Sequence, residues 1–384
     1  METATHGWEP GAGWSEPIGA LDSDTTVVVA FGDPALRDRT DPVRELFDAY
    51  PRSHIVGCST SGQFRDATLS DGSLIVGAAR FESTHVASVH IPIGSADDSF
   101  RAGTALARAL AHDDLRAVFV VSDGLCVNGS ELARGISSVV SEDVVVTGGL
   151  AADGDRFDST WLMIDGEPRS GFVSAIGLSG ARVQVGHGSR GGWDKFGPER
   201  FVTRSEANVL YELDGRPALE IYRSYLGDLA DGLPATALLF PLALRDDFDD
   251  DKQLVRTVLA VDEATQSMTF AGDVPEGSFA QLMHANFDRL VGGASDAAGA
   301  AARMVTDRWL PDSHRDTLAI AVSCVGRRLV LGQRVEDEIE AAFDRLPHPS
   351  RQVGFYSYGE LSPAGDGPCE LHNQTMTLTT IAEV

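Results

Sequence analysis

The chain has 384 residues, 43% of them hydrophobic, and a formal net charge of −26. That length can bury a large core and predicts a pair of domains, while the charge argues against nucleic acid or an anionic membrane as a partner. No apolar run approaches the ~20 residues of a membrane span, and the first twenty residues lack the basic start and apolar core of an export signal, so a cytoplasmic protein is expected.

Residues 1–24 are rich in Gly, Pro and acids and are expected to form a flexible arm. The apolar run VVVAF at 27–31 follows, then a helical pattern of Val43, Leu46, Phe47 and Tyr50 behind Thr40 as N-cap, then a short β-type segment ending in VGCSTSGQ (56–63). SLIVGAARF (73–81) and HVASVHIPI (85–93) predict two strands, and an Ala-rich helix is expected around 99–112. The same order then returns: AVFVV at 117–121, a helical face of Leu132, Ile136, Val139 and Val140 behind Ser130, and GGLAADGD at 148–155. STWLMID, SGFVSAIGL and ARVQVGHG predict consecutive antiparallel strands, and GHGSRGGWDKFGP (186–198) is glycine-rich enough to predict a loop.

A domain boundary is expected near 215, where a Leu-Asp-Gly turn precedes a helix opening at Pro217. The chain thus divides into 25–215 and 216–384. The second part predicts strands around 254–271, a helix near 278–305 and a third copy of the pattern: LAIAV at 318–322, a helix carrying Val335, Ile339, Phe343 and Leu346, and VGFYSYGE at 353–360. It closes on CELHNQTMTLTTI, a polar start running into an alternating strand.

All three octamers share G-x-x-x-x-G followed by an acid or its amide, so one strand–helix–strand unit is used three times. Glycine turns at strand ends are where α/β sheets tend to place binding loops. A phosphate-binding P-loop continues with Lys and Ser or Thr, whereas Gln63, Asp155 and Glu360 stand here. An acid in that place repels phosphate. The fold class expected is α/β (α+β), with mixed β-sheets flanked by helices, possible as a layered α-β-β-α sandwich of two related lobes.

Charge and thiols add less. Lys195 and Lys252 are the only lysines, and runs such as DDFDDD at 246–251 give an acidic surface of the kind suited to high salt, where screening removes self-repulsion. Cys58, Cys126, Cys324 and Cys369 are scattered without C-x-x-C pairing, as expected of reduced thiols. Cys324, with Arg327 and Arg328 nearby to lower its pKa, is the best candidate for a reactive one.

GCSTSGQ, GGLAADGDRF, ELDGRPALEIYRSYLG, SCVGRRLVLG, GFYSYGELSPAG and CELHNQTMTL together resemble the FIST N and FIST C domains of sensory proteins, over about residues 27–380. The resemblance implies a signal-input module that binds a small polar ligand such as an amino acid. It also implies output through a separate partner protein, such as a histidine kinase, because the sequence leaves no room for an output domain. Some relatives resemble haem-based nitric-oxide sensors; a haem here would use His187 or His372 as axial ligand, without covalent attachment. The alternative from another class is an interaction scaffold with no small ligand.

The candidate ligand-binding residues are Cys58, Ser59, Thr60, Ser61 and Gln63 of the first frame, Asp153 and Arg156 of the second, and Tyr356, Tyr358 and Glu360 of the third. His372, Asn373 and Gln374 join them as a dense donor and acceptor run. Each has a plainer role: hydroxyls capping the turn, Asp153 pairing with Arg156, a tyrosine packed in the core. Alternation would place Tyr356 and Tyr358 on one face. No catalytic triad, G-x-S-x-G or metal-ligand spacing is present, so no enzyme activity, no metal and no resident cofactor are expected.

Overall fold

In the computed structural model, which describes residues 1–245, 254–306, 315–365 and 367–384, the three copies form three mixed sheets around one core. The acidic run at 246–251 and Lys252 lie outside the described residues.

The first unit runs through the strand Thr26–Gly32, helix α1 (Asp41–Ala49), and the strand His54–Ser59 parallel to the first. A short hairpin, Gln63–Arg65 and Thr68–Ser70, and a return strand, Leu74–Arg80, complete it. The second repeats the order with Leu115–Ser122, α3 (Gly129–Ser137), Val145–Leu150, the hairpin Leu162–Ile164 and Glu167–Arg169, and Phe172–Ser179; α2 (Ser99–Ala109) precedes it. The chain next passes through α4 (Ala218–Leu226) and α5 (Phe287–Thr306). The third unit then has Thr317–Cys324, α6 (Val325–Leu331), α7 (Val335–Phe343), Ser350–Ser357, the hairpin Glu360–Pro363 and Cys369–His372, and Met376–Glu383.

The apolar runs are nearly continuous because both faces of each first strand are buried. Val27, Val29 and Phe31 enter the shared core, as do Ala117, Phe119 and Val121, and Leu318, Ile320 and Val322. The intervening residues face helices: Val28 and Ala30 pack with Val43 and Leu46 of α1, and Val118 and Val120 with Leu106 of α2 and Leu132 of α3. Ala319 and Ala321 pack with Ala294 of α5 and Ile339 of α7. The expected mixed sheets with outer helices are present, but three sheets share one interior where a sandwich has two.

The units are exchanged as well as repeated. Each hairpin leaves its own sheet: that of unit one pairs with Val353–Phe355 of unit three, that of unit two meets Cys58 of unit one, and that of unit three meets Gly148 and Gly149 of unit two. The strands predicted as consecutive and antiparallel, around 162–164, 172–179 and 183–190, therefore pair in three different sheets. Three-residue hairpins with no pattern of their own conceal this in the sequence.

Other expectations are corrected. Within the expected arm, Glu2–Glu9 pairs antiparallel with Leu74–Arg80 as an outer strand of the first sheet, in the place that His85–Pro92 and Val183–Arg190 hold in the other two. The Gly/Pro-rich composition belongs to the turns after it. The predicted loop at 186–198 is largely strand, holding the second half of Val183–Arg190 and the start of Asp194–Glu206. Its glycines serve close packing: a Cβ at Gly186 or Gly188 would lie 2.1 Å from the Ala301 carbonyl oxygen or 2.2 Å from that of Ala297, on α5. Asn128, not Ser130, caps α3, accepting from the N–H groups of Ser130 and Glu131, and the Thr40 side chain makes no capping bond. α5 begins at Phe287 because Phe279–His284 is a strand.

Between Val183–Arg190 and α5 the chain inserts a fourth, antiparallel sheet built from strands within 194–284, with α4 packed on it. No helix among the described residues is long and apolar enough to cross a membrane.

The ends of the chain meet. The Glu383 carboxylate accepts the N–H groups of Glu82 (2.7 Å), Ser83 and Thr84 (both 2.9 Å) and the hydroxyls of Ser83 and Thr84, with the Met1 ammonium 3.7 Å away. Burial raises its pKa, but these donors outweigh that and hold it at about 2. A depressed carboxyl pKa stabilises the fold above the unfolded value and loses that stabilisation as pH falls through the folded one. Glu383→Gln is expected to cost about 2 kcal/mol at pH 7. In denaturant titrations the gap from the parent protein should narrow between the usual glutamate range and pH 2.

Candidate functional site

The three glycine frames meet. Ser61 N–H donates to the Tyr356 carbonyl and Tyr356 N–H to that of Gly62, both at 2.8 Å; Ala152 N–H donates to Ser59 O at 3.0 Å; Tyr358 N–H donates to Leu150 O at 3.2 Å, and Leu150 N–H to Gly359 O at 2.9 Å. Every frame is thereby tied to the other two. The first glycines permit close packing: a Cβ at Gly354 would sit 2.3 Å from the Phe64 ring.

Most of the polar side chains in this hub bond to the protein itself. Cys58 is in the central core, where burial pushes its thiol pKa up. Ser59 Oγ accepts from Trp161 N–H at 3.1 Å, and Ser61 Oγ from Gly154 N–H at 2.8 Å. Thr60 Oγ1 donates to Gln63 Oε1 at 2.7 Å, and Gln63 Nε2 to Ser73. Asp153 accepts the N–H groups of Phe157, Asp158 and Ser159 and the Tyr358 hydroxyl, with Arg156 3.9 Å away. Burial opposes ionisation of Asp153, yet the Tyr358 and main-chain bonds leave its pKa lowered. Tyr356 and Tyr358 do not share a face, because the strand ends at Ser357: Tyr356 is fully buried against Phe64 and Glu338, while Tyr358 turns toward the helical layer of unit two.

Tyr358 lines a cavity of about 320 Å³ between the second and third units and the inserted sheet. On the ring side lie Leu125, Asn128, Leu150 and Phe157, whose ring stacks on Tyr358 at 4.5 Å between centroids and 11° between planes. The strand end Cys324–Gly326 forms another side. The inserted sheet supplies Asn208, Thr257, Phe270 and Asp273. Asn128 Nδ2 donates to Asp273 Oδ1 at 3.3 Å, joining the two sides. Thr257 Oγ1, on a residue only 4% exposed, has no hydrogen-bond partner among the described residues.

Beside Cys324 lies a buried polar array. Glu360 accepts from Ser357 Oγ at 2.7 Å and from Thr375 N–H and Oγ1 at 3.2 and 2.9 Å, and burial lifts its pKa to about 8. Among the described residues, both side-chain heteroatoms of Asn373, which is fully buried, lack partners, as does Gln374 Oε1. Gln374 is a non-glycine residue held at φ +61°, with its carbonyl accepting from Trp193 Nε1 at 2.8 Å. Buried amides normally find partners, so two incompletely bonded ones in sequence mark an unusual place.

Cys324 does not fulfil the expectation of a lowered pKa. It is buried beside Glu360, which together push the thiol up. Arg327 is turned away onto Glu338, and Arg328 onto Asp71 and the Ser61 carbonyl.

His372 lies elsewhere, with Nε2 3.0 Å from the Ser362 carbonyl oxygen; with Thr375, Trp193 and Met283 it lines a separate cleft of about 540 Å³. His187 is in a strand opposite Thr379, and its N–H donates to Met304 Sδ at 3.4 Å. His187, one of the two axial candidates, thus stands in a paired strand and not in the loop expected for it. No cluster of three or more potential metal ligands occurs among the described residues.

Sequence reasoning thus singled out Tyr358 of the cavity lining and missed Phe157, Asn128, Thr257 and Asp273. Only GDRF, carrying Phe157, fell within a segment already noted.

Comparison with known proteins adds the following. A FIST N domain family model matches residues 26–216, and a FIST C domain model matches 218–363. An uncharacterized protein of Methanocaldococcus jannaschii is 23% identical over 365 residues, covering 83% of this chain and 67% of its own length. Among solved structures, a cyanuric acid hydrolase from A. caulinodans aligns over 99% of both chains, at 9% identity and a TM-score of 0.36. A likeness that weak carries nothing about chemistry.

Proposed function

The chain belongs to the FIST family, whose domains are sensory and signal-transduction domains, and on that premise we propose that it is a cytoplasmic sensor binding a small ligand of the amino-acid and amine class in the 320 Å³ cavity. The signal then passes to a separate partner protein. The observation that carries this reading is the cavity's position: its lining combines residues of the FIST N segment, such as Leu125 and Phe157, with residues of the FIST C segment, such as Thr257 and Asp273. A ligand there touches both and can alter how they pack. Its volume is at the small end of ligand pockets, which run ~300–1,000 Å³. A non-catalytic role is part of the proposal, and burial that keeps the Cys324 thiol protonated supports it.

A scaffold without a small ligand is the second reading. The solid packing of Tyr356 and the Cys58 loop favours it, because a ligand had been expected there.

Thermal-shift screening of amino acids and related metabolites separates the two. A ligand at 100 times its Kd adds about 2.7 kcal/mol of stability. Ala271→Trp, which fills the cavity from the inserted sheet, should abolish that gain and leave the unliganded Tm within a few degrees of the parent. An unchanged gain in the variant would place the ligand elsewhere.

A further inference from the structure

Resting on the cavity as the ligand site, we infer that its preferred ligand is a hydrophobic amine, an aromatic or branched apolar body carrying one cationic nitrogen, over a zwitterionic amino acid. Leu125, Phe157 and Leu259 are 42%, 49% and 41% exposed, and all three line this one cavity. Large apolar side chains gathered at one opening mark a surface that something apolar covers. Phe157 is also held at φ +50° by the Asp153 carboxylate accepting its N–H, which keeps its ring flat on Tyr358. That pair offers a planar body a stacking platform.

The polar groups lie on the inserted sheet. Asp273 Oδ1 accepts from Asn128, and the carboxylate makes no direct ion pair among the described residues, although the charge of the buried Arg256 acts on it. Arg256, fully buried beneath Gly272, gives its Nε–H to the Asp273 carbonyl and one Nη1–H to that of Leu371; it does not line the cavity. Thr257, the next residue, lines the same wall, and its buried hydroxyl has no hydrogen-bond partner among the described residues. An ammonium group would find the Asp273 carboxylate there.

A carboxylate would find no cation there. No Arg, Lys or His is among the described residues lining the cavity, so the carboxylate of an amino acid would lose its hydration with no cation on the wall to bond and with Asp273 to repel it. The net charge of −26 further favours the approach of a cation over that of an anion.

The test compares 2-phenylethylamine, 2-phenylethanol and phenylalanine by isothermal titration at pH 7, on the full chain and on Asp273→Asn. The amine should bind roughly tenfold or more tightly than phenylalanine, and Asp273→Asn should weaken the amine by a similar factor. Retained affinity for the alcohol shows the variant is folded. Phenylalanine binding as tightly as the amine, or an amine affinity untouched by Asp273→Asn, overturns the amine assignment and leaves the cavity standing. If none of the three binds, the cavity reading falls with it.

Discussion

Replacing Arg327 by methionine is expected to cost about 3–5 kcal/mol of folding stability, the cost of breaking a buried ion pair from one side. Arg327 and Glu338 are both fully buried and paired. Arg327 Nε donates to Glu338 Oε2 at 2.8 Å, one terminal nitrogen to the Leu290 carbonyl at 2.8 Å, and the other to the carbonyls of Gly191 and Gln374. Glu338 also accepts from Ser323 Oγ at 2.8 Å and Tyr356 Oη at 3.2 Å. One guanidinium therefore connects α5, α6, α7, the entry to the inserted sheet and the strained Gln374. Methionine fills much of the volume but leaves a buried carboxylate without its cation and several carbonyls without a donor. Pairing Arg327→Met with Glu338→Leu should recover much of the loss, because a well-packed apolar pair removes the desolvation cost as well as the attraction. Urea unfolding of the single and double variants measures both; a single variant within 1 kcal/mol of the parent would show that the pair contributes little.

That network also marks how far the sequence could be read. The three strand–helix–strand units and their glycine frames were legible because strands buried on both faces are long apolar runs and helices carry their own period. The closing of the units on one another was not. It depends on hairpins such as Gln63–Arg65 and Glu360–Pro363, three or four residues long, whose partners are far away in the chain and whose pairing leaves no local pattern. For the same reason Arg327 and Arg328 read as neighbours that acidify Cys324, when pairing with Glu338 and Asp71 sends both elsewhere. The glycines at 186 and 188 read as a loop because a strand pressed against a helix backbone and a turn call for the same residue.

The candidate site divided along similar lines. The frames were correctly seen as related, but polar residues at strand ends satisfy neighbouring main chain as readily as they face a ligand, and the Cys58–Gln63 loop does the former. The cavity wall from Thr257 to Asp273 comes from an inserted sheet whose proximity to Tyr358 is purely tertiary.

Glu360→Gln is expected to stabilise the protein, and to do so only above pH ~5. Glu360 is fully buried, and burial lifts its pKa to about 8 against the bonds from Ser357 and Thr375 that favour the charged form. In the unfolded chain the same carboxyl ionises near the usual glutamate value of about 4.3. The folded state thus holds one more proton than the unfolded state between these values, so stability falls as pH rises through that window and levels off above pH 8. The full window corresponds to a loss on the order of 5 kcal/mol at 1.36 kcal/mol per pH unit. A glutamine has no proton to lose. Its carbonyl can accept the Thr375 N–H, and its amide can donate to Ser357 Oγ, which can in turn donate to the Ser323 carbonyl it already reaches at 3.2 Å. Thermal unfolding at pH 5 should therefore find the variant and the parent close together, and at pH 8.5 the variant should be more stable by several degrees in Tm. Parallel stability profiles across that range would mean that Glu360 is already ionised in the folded protein, with its charge balanced by the surrounding donors.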